Sequence, residues 1–165
     1  MKVKGKTNAM RILDKFKVNY EVREYDTSDN KIDGVAVAHK VGKDPKTVFK
    51  TLVCVGPSRD YYVFVIPVEE ELDMKKAAKS VGEKNVEMIH VKDINKVTGY
   101  IRGGCSPVGM KKDYKTVIDM SANDLEVMTV SAGKIGLQID ISPFIKAMAL
   151  EQRRSWWVKS CLIQR

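Results

Sequence analysis

Val48-Phe49-Lys50-Thr51-Leu52-Val53-Cys54-Val55 is a run of β-branched, aromatic and apolar residues with one ammonium group set inside it. That composition predicts a strand, and the two-residue side-chain period puts Lys50, Leu52 and Cys54 on one face and Phe49, Thr51 and Val53 on the other. Lys50 therefore stands on a largely apolar face. A lysine there either snorkels from a sheet edge or points into a cavity where its charge meets an anion or a carbonyl.

Outward from this stretch, Asp44-Pro45 reads as an N-cap followed by proline at the first helical position, and it delivers the chain into the strand. Downstream, Gly56-Pro57-Ser58-Arg59-Asp60 reads as a turn into a second strand over 61–66, so the pair forms an antiparallel hairpin. Towards the N-terminus, Thr7 can cap a helix whose Ala9, Ile12, Leu13 and Phe16 recur at helical spacing, and Val18, Tyr20 and Val22 alternate as a half-buried strand leading to Tyr25. A short helix over 35–41 ends at Gly42. Beyond the hairpin, Asp73 can cap a helix with Met74, Ala77, Ala78 and Val81 inward and Gly82 as its stop. A short strand over 86–90 and a brief helix over 93–98, closed by Gly99, complete this half.

Gly103-Gly104-Cys105-Ser106-Pro107-Val108-Gly109 is the second unusual stretch. Adjacent glycines let the backbone approach a ligand and aim N–H groups at it, and the Ser106 hydroxyl can add a donor; an ordinary turn is the alternative. Strands are predicted over 115–119, 127–131 and 136–141, and Ser142-Pro143 caps a last helix carrying Ile145, Met148 and Ala149 inward. About seven short strands without a repeating strand-helix period argue against a doubly wound sheet and for an α+β fold, a small mixed, largely antiparallel β-barrel surrounded by helices.

The 165 residues fit one domain, 1–165, with a basic C-terminal tail over 151–165. Hydrophobic residues are 44% and charged ones 30%, and no apolar run reaches membrane-spanning length, so neither a membrane nor a secretory route is expected and the chain reads as cytoplasmic. Cys54, Cys105 and Cys161 form no CxxC pair, and His39 and His90 lack metal-ligand spacing, which argues against a disulfide framework, a zinc cluster or metal-dependent chemistry. No cofactor is expected. The net charge of +8 and pI near 9.3 suit a polyanion. Lysines cluster at Lys2, Lys4 and Lys6 and at Lys111, Lys112 and Lys115, and the tail carries Arg153, Arg154, Lys159 and Arg165. Of these, Lys111, Lys112, Arg153 and Arg154 are the leading candidates for RNA contact; DNA is not expected.

An ordered set of motifs then supports a resemblance. Thr7-Asn8-Ala9, Tyr25, Val48-Phe49-Lys50-Thr51-Leu52, Leu72-Asp73-Met74-Lys75-Lys76-Ala77-Ala78-Lys79, Val86-Glu87-Met88, Thr98-Gly99-Tyr100-Ile101-Arg102-Gly103-Gly104-Cys105-Ser106-Pro107-Val108-Gly109 and Val130-Ser131-Ala132-Gly133-Lys134-Ile135-Gly136-Leu137 follow one another as in the YbaK/EbsC family. These are free-standing relatives of the editing domain of some bacterial prolyl-tRNA synthetases. The resemblance implies trans-editing, the removal of a wrongly attached amino acid from tRNA(Pro): cysteine in the YbaK branch and alanine in others. Prolyl-tRNA synthetase is then a candidate partner.

It also implies an essential lysine at Lys50, with Tyr25, Thr51, Gly103 and Ser131 around the aminoacyl end. One departure is Gln138, at a position where the cysteine-directed pattern carries aspartate; the neutral amide would accept from the substrate's α-ammonium more weakly than a carboxylate. In the cysteine branch the substrate's own thiol attacks its ester carbonyl. On that scheme Lys50 holds the ester or nearby terminal-adenosine oxygens, the N–H groups of Gly103 and Gly104 steady the carbonyl oxygen, and no protein cysteine is the nucleophile. An alanine-directed deacylase using water and a non-catalytic RNA- or synthetase-binding module are the competing readings.

Overall fold

The computed structural model describes residues 5–142 and 156–158. Helix α1 (Asn8–Lys15) opens at Thr7, whose Oγ1 accepts from the Met10 N–H at 3.2 Å and whose hydroxyl donates to the Ala132 carbonyl. The cap residue thus ties the helix to a distant strand as well as starting it. Ala9, Met10 and Leu13 are buried, while Phe16 caps the C-terminus half-exposed, so Met10 takes the inward place expected for Phe16. Strand β1 (Tyr20–Glu24) and helix α2 (Gly34–Lys40, capped by Asp33) follow.

Strands β2 (Phe49–Val55) and β3 (Tyr61–Pro67) form the expected antiparallel hairpin, in register from Phe49 opposite Pro67 to Val55 opposite Tyr61. Every residue of β3 after Tyr61 is buried. Such a strand has no wet face because both of its faces are covered. One face carries Val63 and Val65, which join Phe49, Val53 and α1 in a core with residues of the C-terminal strands. Phe64 and Ile66 on the other face pack with Cys54 against Ala77, Ala78 and Val81 of α3 (Met74–Val81). The alternation read for Phe49 to Cys54 is therefore realised, with one core on each side of the sheet.

Strand β4 (Glu87–Met88), helix α4 (Ile94–Thr98), strand β5 (Lys115–Ile118) and the hairpin of β6 (Met128–Lys134) with β7 (Leu137–Ile141) complete the body. Among the described residues the strands form two sheets, β1-β7-β6 and β4-β2-β3-β5-β8, where β8 is Trp156–Val158. They meet at a parallel bridge between Val48 and Thr129. The architecture is thus α+β, and among the described residues the strands expected to form a small mixed barrel are paired as two sheets that share a core, not closed into one barrel. The β3–β5 pairing is parallel, and a hairpin-by-hairpin reading cannot anticipate a partner so distant in sequence.

The predicted last helix, with Ile145, Met148 and Ala149, lies outside the described residues. Within the tail, β8 docks by pairing parallel to β5, Thr116 opposite Trp156. No helix among the described residues is long and apolar enough to cross a membrane.

Candidate functional site

Lys50 sits on β2 opposite Ile66, and the strand carries it to a cavity of about 130 Å³ where the two sheets meet. Tyr25 follows β1 and is held there by its N–H, which donates to the Gly136 carbonyl at 3.0 Å. Ser131 and Gln138 are cross-strand partners on β6 and β7, beside a register irregularity between Ser131 and Lys134. The Ser131 Oγ accepts from the Gly133 N–H at 3.2 Å, which fixes that bulge. Tyr25, Lys50, Thr51, Gly103, Ser131 and Gln138 all line the cavity. Residues spread over more than a hundred positions are thus brought to one wall system by strand pairing.

Burial is the main influence on the Lys50 ammonium: desolvation pulls its pKa below the usual lysine value of 10.5, and the charges of Glu71 and Glu70 partly restore it. Among the described residues no hydrogen bond or ion pair holds it. The hydroxyl oxygens of Tyr25 and Thr51 are buried in the cavity wall with no hydrogen-bond partner among the described residues. Buried polar groups are ordinarily paired, so these two hydroxyls are exceptions, and both belong to residues that line the same cavity as Lys50. Gln138 is 7% exposed, and among the described residues its side-chain amide makes no hydrogen bond.

Two residues expected at the site from the glycine loop, Gly104 and Ser106, stand away from the cavity. Gly104 does not line the cavity, and its N–H donates to the Ile101 carbonyl at 3.0 Å, which leaves it unavailable to a substrate carbonyl. Its lack of a side chain serves packing, because a Cβ there would lie 2.8 Å from the Ile135 backbone nitrogen. Ser106 is fully buried, accepts from the Val108 N–H at 3.2 Å and stands away from the cavity. Gly103 does line the cavity, at φ +85°, in the left-handed region that favours glycine.

Ile32, Gly34, Val37, Val48 and Val68 also line the cavity and escaped the sequence reading. A Cβ on Gly34 would fall 2.5 Å from Val68 Cγ1, so the helix start presses directly on the segment after β3. A glycine beside the Asp33 cap was the available signal for Gly34; nothing local marks Val68.

Cys105 lines the cavity, but burial pushes its thiol up to about 11, and Cys54, wholly buried, is pushed to about 12. Neither is poised as a thiolate at neutral pH. Among the described residues no group of three or more His, Cys, Asp or Glu could hold a metal ion. Lys111 covers Gly99 and donates to the Lys96 carbonyl at 3.3 Å, while Lys112 borders a separate groove with Arg59 and Tyr114; neither reaches the cavity. Lys6 is paired with Asp14. Lys2, Lys4, Arg153, Arg154, Lys159, Cys161 and Arg165 lie outside the described residues.

Residues 32–148 match the family model of the aminoacyl-tRNA editing domain. The chain belongs to the aminoacyl-tRNA editing domain family. Among curated proteins it is 46% identical over 142 residues to the Enterococcus faecalis protein named "Putative Cys-tRNA(Pro)/Cys-tRNA(Cys) deacylase EbsC", covering 86% of this chain and 87% of that one. This agrees with the YbaK/EbsC resemblance carried by the motifs.

Among solved structures, one described as "a putative trans-editing enzyme for prolyl tRNA synthetase" superposes with a TM-score of 0.78 at 21% identity, covering 96% of each chain. The structure of the hypothetical protein APE2540 superposes at 0.81 with 16% identity, covering 94% of this chain and 99% of that one. These two likenesses establish the shared fold. The matched editing-domain segment includes β2, the glycine loop and the β6–β7 hairpin, and so contributes most of the cavity wall.

Proposed function

We propose that this chain is a trans-editing aminoacyl-tRNA deacylase that removes cysteine from mischarged tRNA(Pro), with residues 1–165 acting as one editing unit in the cytoplasm. The observation that carries the reading is the convergence of the Lys50 ammonium, the unpartnered Tyr25 and Thr51 hydroxyls and Gly103 on one small cavity. Cavities of about 150 Å³ accommodate a molecule the size of benzene, so a space of about 130 Å³ suits a small aminoacyl group. The deacylase name of the 46% identical relative supports both the reaction class and the cysteine. Prolyl-tRNA synthetase is the proposed partner, in line with the description of the structural neighbour.

The aminoacyl ester is already reactive, so positioning and charge stabilisation are enough to cleave it. Folded into the cavity, the cysteinyl group brings its own Sγ onto its ester carbonyl carbon. The C–S bond forms, the C–O bond to the ribose breaks, the thiol proton passes to the departing ribose oxygen, and a four-membered thiolactone is released. Lys50 stabilises the negative charge that develops on the ester oxygens, and the Gly103 N–H, which has no other partner among the described residues, steadies the carbonyl oxygen. The hydroxyls of Tyr25 and Thr51, with Ser131, orient the aminoacyl end, and Gln138 accepts from the α-ammonium. The high pKa of the Cys105 thiol leaves the substrate's thiol as the nucleophile on this scheme.

Gln138 departs from the cysteine-directed pattern, which leaves room for a second reading in which alanine is the amino acid removed and water attacks. Release of label from Cys-, Ala- and Pro-charged tRNA(Pro), measured side by side, tests both. Preferential release of cysteine is expected. Preference for alanine establishes the second reading, and stoichiometric binding without turnover removes both in favour of a binding module.

A further inference from the structure

Leu137, Ile139 and Ile141 of β7 and Met128 and Val130 of β6 face the main core, so the residues between them lie on the other face of the sheet. On that face Arg23, Gln138 and Ser131 form one cross-strand row, and Glu21, Asp140 and Thr129 form the next. The first row reaches the aminoacyl cavity through Gln138 and Ser131. The second holds a carboxylate that the deacylation scheme leaves unused: the Asp140 side chain is 5% exposed. It accepts from the Thr129 hydroxyl at 2.6 Å and from Arg23 Nε, and the Lys43 ammonium stands 3.3 Å away; Glu21 approaches Arg23 at 3.7 Å. Burial alone would push the Asp140 carboxyl up, but the Thr129 hydroxyl, Arg23 and Lys43 outweigh it and hold its pKa below the usual carboxylate range, so the charge is in place at neutral pH.

The partners of Asp140 stand beside the cavity residues along the chain. Arg23 comes two positions before Tyr25, and Thr129 two before Ser131; Thr129 also bridges to Val48, two before Lys50. Side chains two apart on a strand share a face, so a shift in one row carries to the next. Lys43 follows α2, which supplies Gly34 and Val37 to the cavity wall. The apolar cluster that seats this helix is small, Val35 and Ala38 against Val48 and Val68. Lys40 braces the segment internally, donating to the Asp26 and Lys31 carbonyls at 2.7 and 2.9 Å and to Asp29. The ion pair between Lys43 and Asp140 then ties the braced segment to the sheet.

We propose that Asp140 is a positioning residue: it locks α2, and with it Gly34 and Val37, onto the strands that carry Tyr25, Ser131 and Gln138, and so sets the shape of the aminoacyl cavity. Its consequence for turnover rests on the deacylase reading; its consequence for the cavity does not. A site that works by orientation is sensitive to its walls, where a displacement of about 1 Å costs up to about a hundredfold in rate. A loosened wall also admits water to the half-buried Lys50 ammonium.

The cavity is read through Lys50 itself, titrated by NMR in the full chain with 13C-labelled lysine and assigned through Lys50→Ala. In the parent, burial holds its pKa below 10.5 against the charges of Glu71 and Glu70. Asp140→Asn removes a negative charge, which acting through space alone lowers the Lys50 pKa further, whereas release of the wall hydrates the ammonium and raises it towards 10.5. A rise is expected. In kinetics, Asp140→Asn is expected to lower kcat for cysteine release from Cys-tRNA(Pro) about tenfold with KM little changed, because orientation and not uniform binding is lost. Lys43→Met is expected to lower kcat about fivefold, and Lys43→Arg, which keeps the cation, to restore it. A purely structural tie moves Tm and leaves both kcat and the Lys50 pKa in place. An unchanged or lower Lys50 pKa in folded Asp140→Asn, or parental kcat in Lys43→Met, overturns the positioning role, while cysteine release by the parent keeps the deacylase reading intact. A raised Lys50 pKa in Asp140→Asn, beside a parent that releases no amino acid, supports the role in the cavity and overturns the deacylase reading instead. If Asp140→Asn does not fold, the Lys43 pair decides: loss of kcat rescued by arginine supports the proposal, and loss without rescue overturns it.

Discussion

Thr51→Val is expected to make the protein more stable and less active. The two side chains have nearly the same shape, so the substitution removes one hydroxyl and little else. That hydroxyl oxygen is buried without a partner among the described residues, and a buried unpaired hydroxyl costs about 1–3 kcal/mol. The low end applies here because the side chain as a whole is only half-buried. A gain of about 1 kcal/mol corresponds to a rise in Tm of roughly 2–4 °C for a chain of this size. If the same hydroxyl hydrogen-bonds the substrate in the transition state, its loss weakens kcat/KM by about fivefold, the worth of one neutral hydrogen bond of about 1 kcal/mol. The assay pairs a thermal melt with initial rates of cysteine release under subsaturating substrate. A lower Tm with parental kcat/KM refutes the reasoning, because it would mean that the hydroxyl is satisfied in the folded protein and idle in catalysis. Tyr25→Phe provides an independent repeat of the same logic at a second unpartnered hydroxyl on a residue lining the cavity.

Lys50→Ala is expected to abolish turnover with a Tm at or above the parental value, since removing a partly desolvated cation relieves a cost; a melt far below the parent's would make Lys50 structural. Because the folded-state pKa of Lys50 lies below 10.5, the unfolded chain binds more protons as pH rises between the two values. The desolvation penalty is therefore fully present below the folded pKa and fades as pH climbs through it towards 10.5, while the catalytic cation is lost over the same interval. The background-corrected rate should accordingly fall before the pH at which an ordinary lysine titrates, and a rate flat to that pH contradicts the role. Gly103→Val should lower kcat/KM at least tenfold and stability by roughly 1–2 kcal/mol, because φ is +85° and even a Cβ would lie 3.2 Å from Ile32 Cδ1; normal kinetics would make the loop an ordinary turn. Cys105→Ser is expected to retain most activity on Cys-tRNA(Pro), and its inactivation in a folded protein would sink the substrate-thiol scheme in favour of covalent catalysis.

The local chemistry of the chain was legible from residue order alone. The cap at Thr7, the Asp73 cap with its Gly82 stop and the Phe49 to Cys54 alternation each depend on neighbours a few positions apart, and each is realised. The motif order likewise sufficed for the family, and it singled out Tyr25, Lys50, Thr51, Gly103, Ser131 and Gln138, which share one cavity. Which backbone donors remain free could not be read this way. Gly103 and Gly104 are adjacent and chemically identical, yet the turn consumes the N–H of Gly104 on Ile101 and presses its α-carbon against Ile135, while Gly103 faces the cavity. Ser106 is withdrawn in the same way by its bond from Val108. Tertiary structure also decided that the strands make two sheets, because a parallel pairing such as β3 with β5 depends on loop closure over long separations and leaves no short-range pattern. The state of Lys50 was settled there too. An ammonium in an apolar run is the same sequence whether it snorkels or faces a cavity, and only the packing of β2 against distant strands sets how much water it keeps.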